Sequence, residues 1–260
     1  MLKENSARMP ALFLGHGNPM NAIDENLFVD SLKRVGKTLP RPKAVLVISA
    51  HWTTPYSAVS LHESELYYDM YGFPKELYMV SYPAKSADFL IAGVQELIKD
   101  LRVQKRALDH GVWSVLVHLF PDADIPVLQM SINTNFSMQE HYEMGKVLSV
   151  LREEGVMIVG SGNVTHNLRE ANLSNKDAPV DTWAKEFDEF VKDALIRRDF
   201  DALVNFEKLQ RYADRAHPTK EHFIPLLYIA GASNDDKKSS FVYEGFEHAN
   251  LSMRCWKTGE

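Results

Sequence analysis

Apolar residues in this chain fall into short, nearly continuous runs, separated by stretches where they recur every three or four positions. Ala11-Leu-Phe-Leu14, Lys43-Ala-Val-Leu-Val-Ile48, Pro126-Val-Leu-Gln-Met-Ser-Ile132 and Val156-Met-Ile-Val159 have the character of strands buried on both faces. Helical spacing lies between them. Asn21 to Leu39 carries Ile23, Leu27, Phe28, Leu32 and Val35 on one face and is closed by Pro40 and Pro42. Ala84 to Leu101, Val112 to Phe120, Pro179 to Arg197 and Phe223 to Ala230 follow the same rule, with Pro225 confined to a first turn. Ser137-Met-Gln-Glu140 has capping-box spacing, and the helix it opens is expected to run to Gly155.

Weaker signals complete the pattern. Tyr56 to Leu61 reads as the second strand of a hairpin-like extension, Val103 to Leu108 as a short strand, and Asp201 to Tyr212 as a short helical segment. Ser239–Tyr243 and Leu251–Trp256 read as two final strands forming an antiparallel edge. Residues 62–83, with Tyr67, Tyr68, Tyr71, Phe73, Tyr78 and Tyr82 among Gly72, Pro74 and Pro83, are too irregular for a long helix and read as an aromatic loop covering the body. The alternation of strands and helices predicts an α/β fold: one three-layer α/β/α domain over residues 1–260, around a mixed, largely parallel sheet.

Composition narrows the chemistry. Hydrophobic residues at 45% and charged residues at 25% match a globular chain. The net charge of −6 is spread out and no basic block occurs, so nucleic acid is not an expected partner. A lone Cys255 excludes an internal disulfide and cysteine-cluster zinc sites, and fits a reducing compartment. No apolar run approaches the roughly 20 residues that cross a bilayer, and the charged first residues lack a signal-peptide core, so a cytoplasmic protein without a membrane partner is expected.

The ten histidines change the picture most. His16, His51 and His166 each follow an apolar strand run directly, whereas His110 and His222 stand at helix starts. In open α/β sheets the ligand crevice lies at the carboxyl ends of the strands, and a metal is the economical reason to gather imidazoles there. His62, His118, His141, His217 and His248 have blander settings, His118 and His141 lying inside helices. Imidazole suits zinc, iron, nickel and copper, and histidines left off the metal can move protons near neutral pH. No phosphate-loop, nucleophile-elbow or H-E-x-x-H motif is present.

Phe13-Leu-Gly-His-Gly-Asn-Pro19, Ser49-Ala-His-Trp52, Asp109-His-Gly-Val-Trp113, Phe120-Pro-Asp-Ala-Asp-Ile-Pro-Val127, Gly160-Ser-Gly-Asn-Val-Thr-His-Asn167 and Pro218-Thr-Lys-Glu-His-Phe-Ile-Pro-Leu-Leu227 resemble, in order, the 4,5-DOPA extradiol dioxygenase family. That family belongs to the class III extradiol ring-cleaving dioxygenases, together with the catalytic subunit of protocatechuate 4,5-dioxygenase. The resemblance implies a non-haem Fe(II) enzyme that opens a catechol ring with O₂. It implies His16, His51 and His222 as metal ligands, with Glu221 competing for the third position. His166 is implied as a catalytic histidine and a possible fourth metal contact, and His110 as a second catalytic histidine. Asn18 and Asn167 are expected to orient these groups or bind the diol, and Lys75, Glu76 and the loop tyrosines to meet the far end of the substrate.

An all-histidine set is neutral and also suits Zn(II), so zinc can occupy the site as purified. A monomer or homodimer is expected. A zinc-dependent hydrolase on the same scaffold and a non-catalytic binding protein are the competing readings; retention of all five histidines speaks against the latter.

Overall fold

A computed structural model describes residues 8–259. Its frame is an eight-stranded sheet in the order β4-β3-β5-β2-β6-β1-β10-β7, from β1 (Ala11–Gly15), β2 (Ala44–Thr54), β3 (Ala58–Leu61), β4 (Arg102–Lys105), β5 (Val127–Asn133), β6 (Val156–Gly162), β7 (Ser239–Tyr243) and β10 (Cys255–Thr258). Strands β5, β2, β6 and β1 are mutually parallel, and β10 and β7 close one side antiparallel. A separate two-stranded ribbon joins β8 (Phe246–Glu247) to β9 (Leu251–Ser252).

Helices are α1 (Leu27–Gly36), α2 (Ile91–Leu97), α3 (His110–Leu119), α4 (Met138–Leu148), α5 (Thr182–Arg197), α6 (Phe200–Val204), α7 (Phe206–Leu209), α8 (Ala213–Ala216) and α9 (Ile224–Ala232). Successive strand residues point to opposite faces, so each parallel strand feeds two cores. Leu12, Leu14, Val45, Val47, Met157 and Val159 pack with α1 and α3 residues such as Phe28, Leu32, Val112 and Trp113. Ala11, Phe13, Leu46, Ile48 and Ile158 pack with Tyr142 of α4, Phe187 of α5 and Leu226 and Ile229 of α9. The three-layer architecture is therefore the expected one. Every residue of α9 is buried, as expected for a helix that is apolar all round, and Pro225 does fall in its first turn.

Three local expectations are corrected. Strand β3 does not form a hairpin with β2; it lies between β4, to which it is parallel, and β5. Both sides of β2 are taken by β5 and β6, leaving no edge for a hairpin partner. The helix expected over 84–101 is reduced to a 3₁₀ turn (Asp88–Leu90) and α2. Its start is consumed by sheet-like bonding, since Ala87 N–H donates to Val127 O and Val127 N–H to Lys85 O. Helix α4 ends at Leu148 and passes into a 3₁₀ segment before Gly155, whose left-handed φ of 89° stops the turn. The Ser137–Glu140 capping box is present in full.

Candidate metal centre

The carboxyl ends of β1, β2 and β6 lie along one edge of the sheet because the three strands are parallel neighbours. His16 is the first residue after β1, and its N–H donates to Gly162 O (3.0 Å). His51 is not at a strand end: β2 continues through it to Thr54. Ile48 pairs with Met130 and Thr53 with Ile132, so β2 takes five steps (53 − 48) against two (132 − 130) on β5. Such a bulge bends the strand and re-aims side chains, and His51 sits within it.

His222 reaches the same edge from the turn before α9. Asn163 N–H donates to His222 O (2.9 Å), and a Cβ on Gly162 would lie 2.1 Å from that oxygen. Only a glycine lets β6 and this turn meet. Gly111, at the start of α3, has the same role beside His51, because a Cβ there would lie 2.6 Å from Ser49 Oγ and 3.0 Å from His51 Cδ2.

The donor nitrogens of His16, His51 and His222 all lie within 4.8 Å of one another. His16 Nε2 and His51 Nε2 are 3.0 Å apart, close to the separation of about 3 Å for two imidazoles at right angles around a metal with 2.0–2.1 Å bonds. Neighbouring groups fix the His16 tautomer. Ser161 Oγ–H donates to Gly111 O (2.5 Å) and lies 2.9 Å from His16 Nδ1. A hydroxyl has one proton, so His16 Nδ1–H must donate to Ser161, leaving the lone pair on Nε2. His222 Nδ1 faces Glu221 Oε1 at 3.3 Å, while its Nε2 is buried with no hydrogen-bond partner among the described residues. A buried, unpartnered ring nitrogen is costly. Three converging neutral nitrogens, one of them orphaned, fit a cation that accepts imidazole.

Electrostatics keep these rings neutral. Burial first, then the neighbouring imidazoles, hold His16, His51 and His222 well below the usual histidine range. His166 is lowered to about 4 by burial and by His110. It lies flat on His222, with ring centroids 3.5 Å apart and planes 7° from parallel. Its donor groups with Glu221 and His222 and not with His16 and His51. His110 packs on His51 at 3.9 Å between centroids. Beneath them, buried Asp109 accepts from Ser49 Oγ–H (2.7 Å) and pairs with Gln129. Burial raises its carboxyl above the ordinary range.

The structure thus brings together all five histidines singled out from the sequence. His222 joins His16 and His51 directly, whereas Glu221 stands behind it, 28% exposed, accepting from Thr219 Oγ1–H. Asn18 and Asn167 are engaged in their own turns. Asn18 Oδ1 caps the short 3₁₀ helix Pro19–Ala22 through Met20 N–H, and Asn167 bonds Arg169 N–H, Glu170 and Arg215 O. Lys75 and Glu76 are exposed on a 3₁₀ turn. Trp52 is buried, with the Arg106 guanidinium 5.2 Å from its ring. The remaining five histidines each lie within hydrogen-bond distance of a main-chain oxygen or, for His141, of the Tyr228 hydroxyl. Two functional neighbours escaped sequence reasoning: Ser161, hidden inside a strand, and Asp69, in the aromatic loop.

Residues 10–254 match the family model described as the catalytic LigB subunit of aromatic ring-opening dioxygenase. The chain is 42% identical to "4,5-DOPA dioxygenase extradiol" of Escherichia coli K12, covering 98% of this chain and 96% of that protein. It is 34% identical to the protein of the same name from Beta vulgaris (94% of both chains) and 34% identical to "Dioxygenase tasH" of Hapsidospora irregularis (95% and 85%). Among solved structures, the uncharacterized Escherichia coli K12 protein JW3007 superposes with a TM-score of 0.85 at 39% identity, over 97% of this chain and all of that one.

Proposed function

We propose a specific reaction for a chain that belongs to the family of catalytic LigB subunits of aromatic ring-opening dioxygenases: extradiol cleavage of a catechol such as DOPA by O₂, at an Fe(II) held by His16, His51 and His222. The observation that carries this reading is the convergence of three neutral imidazoles, with His222 Nε2 buried and unpartnered. When bound, Fe(II) supplies a template for catechol and O₂ and a path for electrons between them. The same neutral donor set accepts Zn(II), so a preparation can carry zinc in place of iron.

The chain's own groups do the rest. A catechol must shed protons to chelate a metal, and His166, lowered to about 4, is unprotonated at neutral pH and able to take one. The same ring, once protonated, can return that proton to the product oxygen. His110, tied through Nδ1 to Asp69, offers its other nitrogen to the diol or to O₂. Asn18 and Asn167 hold the turns that carry His16 and His166, and residues 62–83, which bring Asp69 to His110, would meet the far end of the substrate. DOPA is favoured because relatives of that printed name match nearly the whole chain.

The test is oxygen uptake by anaerobically Fe(II)-loaded protein challenged with DOPA and with caffeate-like catechols. One O₂ consumed per catechol lost is expected. Absence of uptake with every catechol would overturn the reading, as would activity that appears with zinc and not with iron.

A further inference from the structure

Asp69 stands on the loop between β3 and β4, and its carboxylate faces two of the five histidines. Oδ1 accepts the His110 backbone N–H (3.0 Å) and lies 2.9 Å from His110 Nδ1, while Oδ2 lies 3.4 Å from His51 Nδ1. The loop beside it is pinned to the start of α3. Tyr67 N–H donates to Leu108 O (2.7 Å) and Trp113 Nε1–H to Tyr67 O (3.2 Å). The residue two before Asp69 is thus tied to the α3 region by bonds that do not involve the histidine rings.

An ionised carboxylate only accepts hydrogen bonds. A ring nitrogen facing one is therefore the protonated nitrogen, and the lone pair moves to the other side of the ring. We propose that Asp69 is a positioning residue that holds His110, and His51 when its Nε2 ligates the metal, as Nδ1–H tautomers with the lone pair on Nε2. The inference rests on the metal-centre reading above and adds to it. His16 is set by Ser161 and His222 by its neighbour Glu221, so Asp69 completes a ring of groups that turn each imidazole the same way. His51, Asp69 and His110 also have the spacing of a cation site of their own. That assignment would require lone pairs on Nδ1 of both rings, and His51 would then bridge two metals as an imidazolate. Hydrogen bonding to the carboxylate needs no such deprotonation.

The consequence is a loop that contributes to metal affinity without touching the metal. In Asp69→Asn one acceptor oxygen becomes an NH₂ donor, which favours the wrong tautomer on the ring it faces. Zinc affinity, measured by competition with a coloured chelator, is expected to weaken about 10–100-fold. Tyr68→Phe, which removes a bond internal to the loop and leaves both the carboxylate and the Tyr67 bonds to the α3 region in place, is expected to stay within about twofold of wild type, well below that range. Wild-type affinity in Asp69→Asn would overturn the proposal, and so would an equal loss in Tyr68→Phe. Long-range ¹⁵N–¹H spectra of zinc-loaded, histidine-labelled wild type give a check without any variant. Nδ1–H is expected on His51 and His110, and Nε2–H on His110 would overturn the assignment. Neither readout uses catechol or O₂, so a failure of ring cleavage counts against the proposed reaction and leaves Asp69 to be judged on these results alone.

Discussion

His16 directly follows β1 and His51 lies within β2, strands with a bonded neighbour on both sides, β1 between β6 and β10 and β2 between β5 and β6. Asp69 stands on a loop whose stem is tied to α3 but whose tip is open, with Tyr71 93% and Met79 79% exposed. The strands that carry these two rings are located by many cooperative ladder bonds and by packing on both faces. The loop-borne carboxylate is located by a few bonds, and segments of that kind open at the low end of the free-energy scale. The two strand-borne imidazoles proposed to share a cation are thus on the stiff side, and the carboxylate proposed to adjust one of them is on the soft side.

The largest effect should come from breaking the stiff side. His16→Ala removes a donor whose tautomer and position are both fixed, and metal retained after dialysis should fall to background together with oxygen uptake. Full metal content in that variant would show that the strands do not carry the site. Next in size, His166→Ala should retain its metal and lose about 10²–10⁴-fold in kcat, the usual range for a proton-transfer group. Loss of metal instead would move His166 among the ligands. Smallest, Tyr71→Ala at the loop tip should change unfolding free energy by less than about 0.5 kcal/mol, as expected of an exposed side chain away from packing. A change confined to KM among different catechols would sharpen the comparison by placing the tip against substrate, whereas a stability loss of several times that amount would break it.

What was legible in the sequence follows the same division. Strand-end histidines announce themselves because a buried run such as Lys43–Ile48 leaves no doubt about where the sheet edge lies, and the order of strands and helices followed from alternation alone. Even so, the bulge that places His51 inside β2 was invisible, since its cause is the register with β5 and not any residue of β2. Asp69 carries no periodic signal: it is one acid in a stretch of tyrosines, and only the path of the loop brings it to His110. Ser161 reads as an ordinary small residue of a strand, and its role appears when Gly111 O is seen to accept its hydroxyl hydrogen bond. Helix limits failed where tertiary bonding intervened, as at Lys85–Ala87, whose backbone is claimed by Val127.

One consequence of the ligand set concerns the chain as a polymer. His16, His51 and His222 are separated by 35 residues (51 − 16) and then 171 (222 − 51), so an unfolded chain could gather them only by closing two long loops at once. A cation bound by all three therefore binds the folded form almost exclusively, and by mass action each tenfold excess over its Kd adds about 1.4 kcal/mol to the stability of the whole sheet. A cation held by all three would thus cross-link the turn after β1 to the turn before α9, and a chelator that removed it would be expected to lower the unfolding midpoint, a shift that calorimetry would read.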